Sequence, residues 1–321
     1  MALQSTGAGT GQSFMGGRAQ ARTNKSAVAV NSLVNSTYFN VLLLSKRGSV
    51  RKRLNITLPD SSLGFSHSGN GRFVTGYGNT VDISNERNGS LISSFGSYGE
   101  EPGAFDYIYC VNAMPDFICV GQIGNVQFFN YAGTYISHIG SFNRDDHGFT
   151  DGNFSVVSGV TFTDSEIFVG DWGVDYDADI RINRVQVFTL AGAFSRSWQF
   201  SKGTLLTARD SDTRNIAVFN SEVFVAHGID FGDPWVISVF DLNGTFLREI
   251  ATNLYGPGYS KFTSSFCISR GILYVTGATT NVYDSPRCVD TYQPDGTFIE
   301  RVLEGTVDTD AFYAITEIKE G

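Results

Sequence analysis

The sequence predicts an all-β chain assembled from six copies of a four-stranded antiparallel unit, and three observations carry that prediction. A turn of the form x-Gly-small-apolar recurs as RGSV, NGSL, AGTY, AGAF, NGTF and DGTF, with its glycines at Gly48, Gly89, Gly133, Gly192, Gly244 and Gly296. Successive glycines are separated by 41, 44, 59, 52 and 52 residues, and self-similarity at such a period marks a repeat architecture. The chain also holds 26 Phe and 14 Tyr among its 321 residues, a usage that suits pleated, half-buried strands.

Each element follows in order. Before the turns lie the alternating segments FNVLLLS, TVDIS, NVQFFN, RVQVFT, VISVFD and CVDTYQ; after them come VRKRLNI, LISSFG, YISHIG, FSRSWQF, FLREI and FIERVL. Each pair reads as a hairpin whose glycine supplies the positive φ that a tight turn needs. Upstream of five hairpins sits a second pair of short strands, such as GVTFTD-SEIFVGD and SFCISR-GILYVTG, which makes four strands per repeat. The first hairpin lacks an upstream inner strand, and the C-terminal AFYAITEIKEG has an inner-strand pattern with no hairpin after it. Joining the two, with Ala27–Val30 supplying a second strand, closes a ring without a free edge. The expectation is a six-bladed β-propeller of four-stranded antiparallel blades over residues 36–321, roughly 48 residues per blade. Residues 1–35, rich in Gly, Ser, Ala, Thr and Gln, have no periodicity and read as an extended N-terminal docking arm.

The segment EIFVGDWG…NRVQVFTLAGAFSRSWQF resembles an NHL repeat, in which a D-x-G loop is followed by N-R-[IV]-Q-V-F, a turn glycine and an aromatic residue. LISSFGSYGEEPGAF resembles the Gly-rich connection between blades of that family, and NLYGPGYSKF echoes it. The resemblance spans most of residues 60–305 and is close over 156–200. It implies a propeller and leaves the activity open, because one fold hosts many functions.

A formal charge of -9 excludes a phosphate backbone as the main ligand, since nucleic-acid binders carry a basic stripe to release counterions. The basic run Lys46, Arg47, Arg51, Lys52 and Arg53 reads as a solvated strand edge. Cys110, Cys119, Cys267 and Cys288 show no CxxC spacing and are expected to be reduced and buried. The N-terminus lacks the apolar run of a secretory signal, and no stretch reaches the length of a membrane-spanning helix, so neither export by that route nor membrane insertion is expected.

Catalytic candidates belong at the ends of the second strands, where propeller loops converge on a central channel. Those positions read Gly76, Gln122, Asp171, His227 and Gly277, and Asp171 with His227 forms the best candidate polar pair. A metal-dependent lactonase or lyase needs three or four converging ligands, so no catalytic set is assigned and no cofactor is expected. The insertion DWGVDYDADIRIN gathers Asp175, Asp177 and Asp179 beside Asp171, oxygen donors of the kind a hard cation takes, without the glycine and terminal glutamate of an EF-hand loop. Trp172 and Trp235 read as loop residues suited to recognition, and Trp198 as core.

The function expected from these features is a non-enzymatic structural or attachment component of a large assembly, most naturally a virion protein of a phage tail or capsid. It would be made in the host cytoplasm and anchored to other protein subunits through residues 1–35. Its propeller loops would bind a host-surface protein or glycan. The alternatives are a soluble propeller hydrolase or lyase with a site at the channel mouth, using Asp171 and His227, and a cytosolic protein-interaction propeller.

Overall fold

A computed structural model describes residues 28–35, 38–44, 50–56, 62–141, 150–175, 180–200, 213–227, 234–255, 265–278, 287–304 and 311–317. Every regular element in them is a strand. The first sheet joins the two ends of that span in the order β24 (Ala311–Glu317), β1 (Val28–Asn35), β2 (Tyr38–Leu44) and β3 (Val50–Ile56). The second runs β4 (Ser62–His67), β5 (Arg72–Tyr77), β6 (Thr80–Asn85), β7 (Leu91–Phe95). The third holds β8 (Ile108–Ala113), β9 (Ile118–Gln122), β10 (Asn125–Phe129) and β11 (Tyr135–Gly140). The fourth holds β12 (Val156–Phe162), β13 (Glu166–Asp175), β14 (Ile180–Thr189) and β15 (Phe194–Gln199).

The remaining strands correct the expected number of blades. β16 (Thr213–Phe219), β17 (Glu222–His227), β18 (Pro234–Asp241), β19 (Phe246–Tyr255), β21 (Ile272–Ala278), β22 (Arg287–Tyr292) and β23 (Phe298–Glu304) follow one another in a single sheet. β20 (Phe266–Ser269) pairs with β21, making eight strands. The propeller of the described residues therefore has five sheets, not six blades. The fusion is local: β19 runs for ten residues, and its last residue, Tyr255, pairs with Ala278 of β21. Turn glycines count two repeats there, whereas the backbone ladder is continuous.

Ring closure follows the expected route. β1 pairs with β24 from Val28↔Glu317 to Leu33↔Ala311, so strands from the two ends of the chain complete one sheet. Residues 28–35, read from sequence as the end of the arm, belong to that sheet; residues 1–27 lie outside the described residues.

The middle strands do not alternate in burial. β9 and β10 are buried at all five positions, and β5 and β6 at their four central ones, because neighbouring sheets cover both faces. Between the second and third sheets, for example, Val74, Val81 and Ile83 pack with Ile108, Val120 and Phe129. The outer strands β7 and β23 are largely exposed. The turn glycines have positive φ, from 75° at Gly89 to 98° at Gly296, as the hairpin reading requires; Gly48 lies outside the described residues. They also make room for the preceding repeat. A Cβ built on Gly133 would stand 2.8 Å from Phe95, and one on Gly244 would stand 2.5 Å from Trp198.

Candidate functional site

The polar residues singled out at the second-strand ends are held by the chain that enters each sheet. Gln122 Oε1 accepts the Asp106 backbone N–H at 3.0 Å, and Asp171 Oδ1 accepts that of Ser155, also at 3.0 Å. Both spans are 16 residues, so the two positions are structural equivalents, as the repeat implied. In the large sheet Thr276, beside Gly277, accepts the Ser265 N–H at 3.0 Å. The third strands complete the clamp. Gln127 accepts from Gly103 N at 2.7 Å and donates to Ala104 O at 2.8 Å; Gln186 accepts from Gly152 N at 2.8 Å and donates to Asn153 O at 2.6 Å. The glutamine of N-R-V-Q-V-F therefore satisfies the backbone of the incoming connection, which cannot reach a ladder partner of its own.

Asp171 is 1% exposed, and its Oδ2 accepts from Arg184 Nε at 2.8 Å and from Gln186 Nε2 at 3.3 Å. Arg184, 2% exposed, also donates to Asn153 O at 2.8 Å and lies 3.6 Å from Asp151. Burial pushes the Asp171 carboxyl up to about 6, against the opposing pull of the guanidinium. His227 is buried, with Nε2 2.9 Å from Ser238 Oγ and its ring 5.2 Å from that of Phe200. It is not among the partners of Asp171, so the structure does not assemble the two into a pair.

Trp172 lies within β13, opposite Val156 and Asn183, and is half-buried; it is a ladder residue and not a loop residue. Trp235 lies in β18, and its side chain is outside the described residues. Asp175 ends β13 opposite Ile180, while Asp177 and Asp179 lie outside the described residues. Trp198 packs between the rings of Phe168 and Phe240.

A cavity of about 270 Å³ opens between the first strands, lined from β4, β8, β12, β16, β20 and β24. The described residues around it include Ser66, Asn112, Thr161, Asn215 and Thr316 and no charged side chain. Two of these amides bolt neighbouring strands together: Asn112 donates to Val160 O and Asn215 to Phe266 O, each at 2.8 Å.

Sequence reasoning passed over a pair of tyrosines at the start of β8, Tyr107 and Tyr109, whose rings meet edge to face at 5.1 Å between centroids. Tyr77 closes β5, Tyr98 stands in the connection to β8, and Tyr107 and Tyr109 flank Ile108 at the start of β8.

No protein-family model matches the chain, and no curated protein matches it. Among solved structures it is similar to a protein of unknown function from Bacteroides caccae, at 12% identity and a TM-score of 0.61 over 92% of this chain and all of that one. It is also similar to the computationally designed Ika8 protein, at 14% identity and a TM-score of 0.42 over 79% of this chain and 64% of that one. The first likeness speaks to the fold alone.

Proposed function

We propose that this propeller is a non-enzymatic structural or attachment component of a larger assembly, anchored by residues 1–27 and presenting its sheets and connections as a binding surface. A virus particle, with the chain as a phage tail or capsid-associated protein, is the setting that suits it best. The observation that carries the reading is the use made of Gln122 and Asp171. In a propeller enzyme these second-strand ends would face substrate, whereas here their carboxylate and amide oxygens accept backbone N–H groups of the entering chain. The segment 1–27 supports the anchoring part. It contains Arg18, Arg22 and Lys25 and no acidic residue, in a chain whose formal charge is -9, so it is chemically distinct from the body it precedes.

The test is removal of the arm. Because residues 28–35 form β1, the deletion must stop at residue 27 to leave the ring intact. The chain lacking 1–27 is expected to keep the circular dichroism and thermal transition of the full chain and to fail to co-sediment with the native assembly. Unimpaired incorporation without the arm would refute the anchoring role.

A further inference from the structure

We propose that the central channel of the propeller is a binding site for a small uncharged aromatic molecule, an alcohol or an amide. The inference goes beyond the reading of the protein as an assembly component, since nothing in it depends on residues 1–27. The site is the cavity of about 270 Å³ to which β4, β8, β12, β16, β20 and β24 all contribute. Each of these is the first strand of its four-stranded unit, so the cavity lies where the units converge. It follows the strands lengthwise, from Gly159 to Phe162 on β12 and from Asn215 to Val218 on β16. Gln122 and Asp171 lie toward the opposite end of the sheets, because they pair with Ile108 and Val157 at the beginnings of β8 and β12. The wall is tied together before any ligand arrives. Ser66 Oγ accepts the Ala113 backbone N–H at 3.0 Å, while Asn112 donates to Val160 O and Asn215 to Phe266 O, each at 2.8 Å. Neighbouring first strands are thereby fixed to one another, which lowers the ordering cost of binding.

The chemistry of the wall selects the ligand. Each first strand carries a ladder on one side only, and among the described residues its other edge has no strand partner. A strand edge presents N–H donors and C=O acceptors in alternation, so a molecule on the axis meets both. Half-buried Met114, Phe162, Val218 and Ile268 add apolar surface, and half-buried Thr161 adds a hydroxyl. No described side chain around the cavity is charged, although the chain holds 23 Lys and Arg and 32 Asp and Glu. A charged ligand would give up its hydration there and meet no countercharge, so the wall favours a neutral one. Size sets the scale of the body: a dry cavity of about 150 Å³ holds benzene, and this one is about twice as large, room for one ring and a polar substituent. A flat ring lays its faces on the apolar wall and turns a hydroxyl or amide, which both donates and accepts, to Thr161 and the strand edges.

The experiment is saturation-transfer NMR on the full chain with phenol, benzyl alcohol and benzamide, beside benzoate and benzylamine. At least one neutral ring is expected to bind, and the two charged rings at least about tenfold more weakly. Ala217→Phe sets a ring of the ligand's own size in the cavity and is expected to abolish the transfer signal while circular dichroism and the thermal transition are kept. Thr161→Val holds the side-chain volume and removes the hydroxyl; it is expected to weaken binding about three- to tenfold, and it carries the test if Ala217→Phe does not fold. The proposal is overturned if no neutral ring binds, which would leave the cavity a water-filled channel. It is equally overturned if a charged ring binds as tightly as the neutral ones, or if the folded variants bind as the parent does. The chain lacking 1–27 should bind the ring as the full chain does, so failure of the arm to anchor and failure of the channel to bind are read apart.

Discussion

At Asp171 a buried carboxylate faces a buried guanidinium, and the pair fastens the entering connection of the fourth sheet. Arg184→Met would strand the carboxylate without its cation and is expected to cost about 3–5 kcal/mol at neutral pH, with Asp171→Asn restoring part of the loss in the double variant. The pH dependence has a definite sign. Burial raises the folded-state pKa to about 6, above the unfolded value, so the native state holds the proton more tightly. The contribution of Asp171 to stability is then fully present below the unfolded pKa and falls as pH rises through about 6. Removing Arg184 raises the carboxyl further, so the Arg184→Met penalty should be smaller at pH 5 than at pH 8 by urea denaturation. A penalty independent of pH would contradict this assignment. Turn glycines give a second residue-level prediction. Gly244→Ala combines positive φ with a Cβ 2.5 Å from the Trp198 ring and is expected to cost about 2–4 kcal/mol, whereas Gly192→Ala meets only Ile139 Cγ2 at 3.0 Å and should cost about 1 kcal/mol. The sequence revealed the first half of that requirement, the φ. It could not reveal the second, because the contact joins residues 46 apart on different repeats.

Between elements, the repeats are latched at their outer edge by one recurring device. Arg196 on β15 forms a two-pronged ion pair with Glu166 at 2.5 and 2.9 Å and donates to Leu242 O at 2.6 Å in the next hairpin turn. Arg248 on β19 does the same with Glu222, at 2.7 and 2.6 Å, and with Pro294 O at 2.7 Å. Each guanidinium also lies over a phenylalanine ring, Phe168 at 5.7 Å and Phe224 at 5.8 Å. Arg196→Ala and Arg248→Ala are each expected to lower stability by about 1–2 kcal/mol, additively, because the latches share no partner. The hydrogen bonds from these arginines hold the Glu166 and Glu222 carboxyls below their ordinary pKa. Their contribution is present above the unfolded carboxylate pKa and disappears as acid brings the pH through the lowered one. Strand identity and hairpin order were legible in the sequence because alternation and turn glycines are local. The number of sheets was not. It turns on the single pairing of Tyr255 with Ala278, which no turn motif announces. Nor was the role of Gln122 and Asp171, since polar residues at strand ends look alike whether they meet a substrate or a backbone amide.

At the scale of the whole molecule, closure depends on two strands from opposite ends of the sequence. Deleting residues 311–321 removes β24, leaves one edge of β1 unpaired and takes Ile315 from the core. The truncated chain is expected to lose its single cooperative thermal transition and to aggregate through the open edge. Closure was legible because the terminal patterns were complementary halves of one repeat. Function was not legible in the same way: residues 1–27 stand out by composition alone, which names no partner. The most direct test of the account is cross-linking mass spectrometry on the native assembly, following Lys25, the only lysine in residues 1–27. Cross-links from Lys25 to other subunits of that assembly are expected. Isolation of the chain as a monomer, with Lys25 cross-linked only to its own propeller, would contradict it.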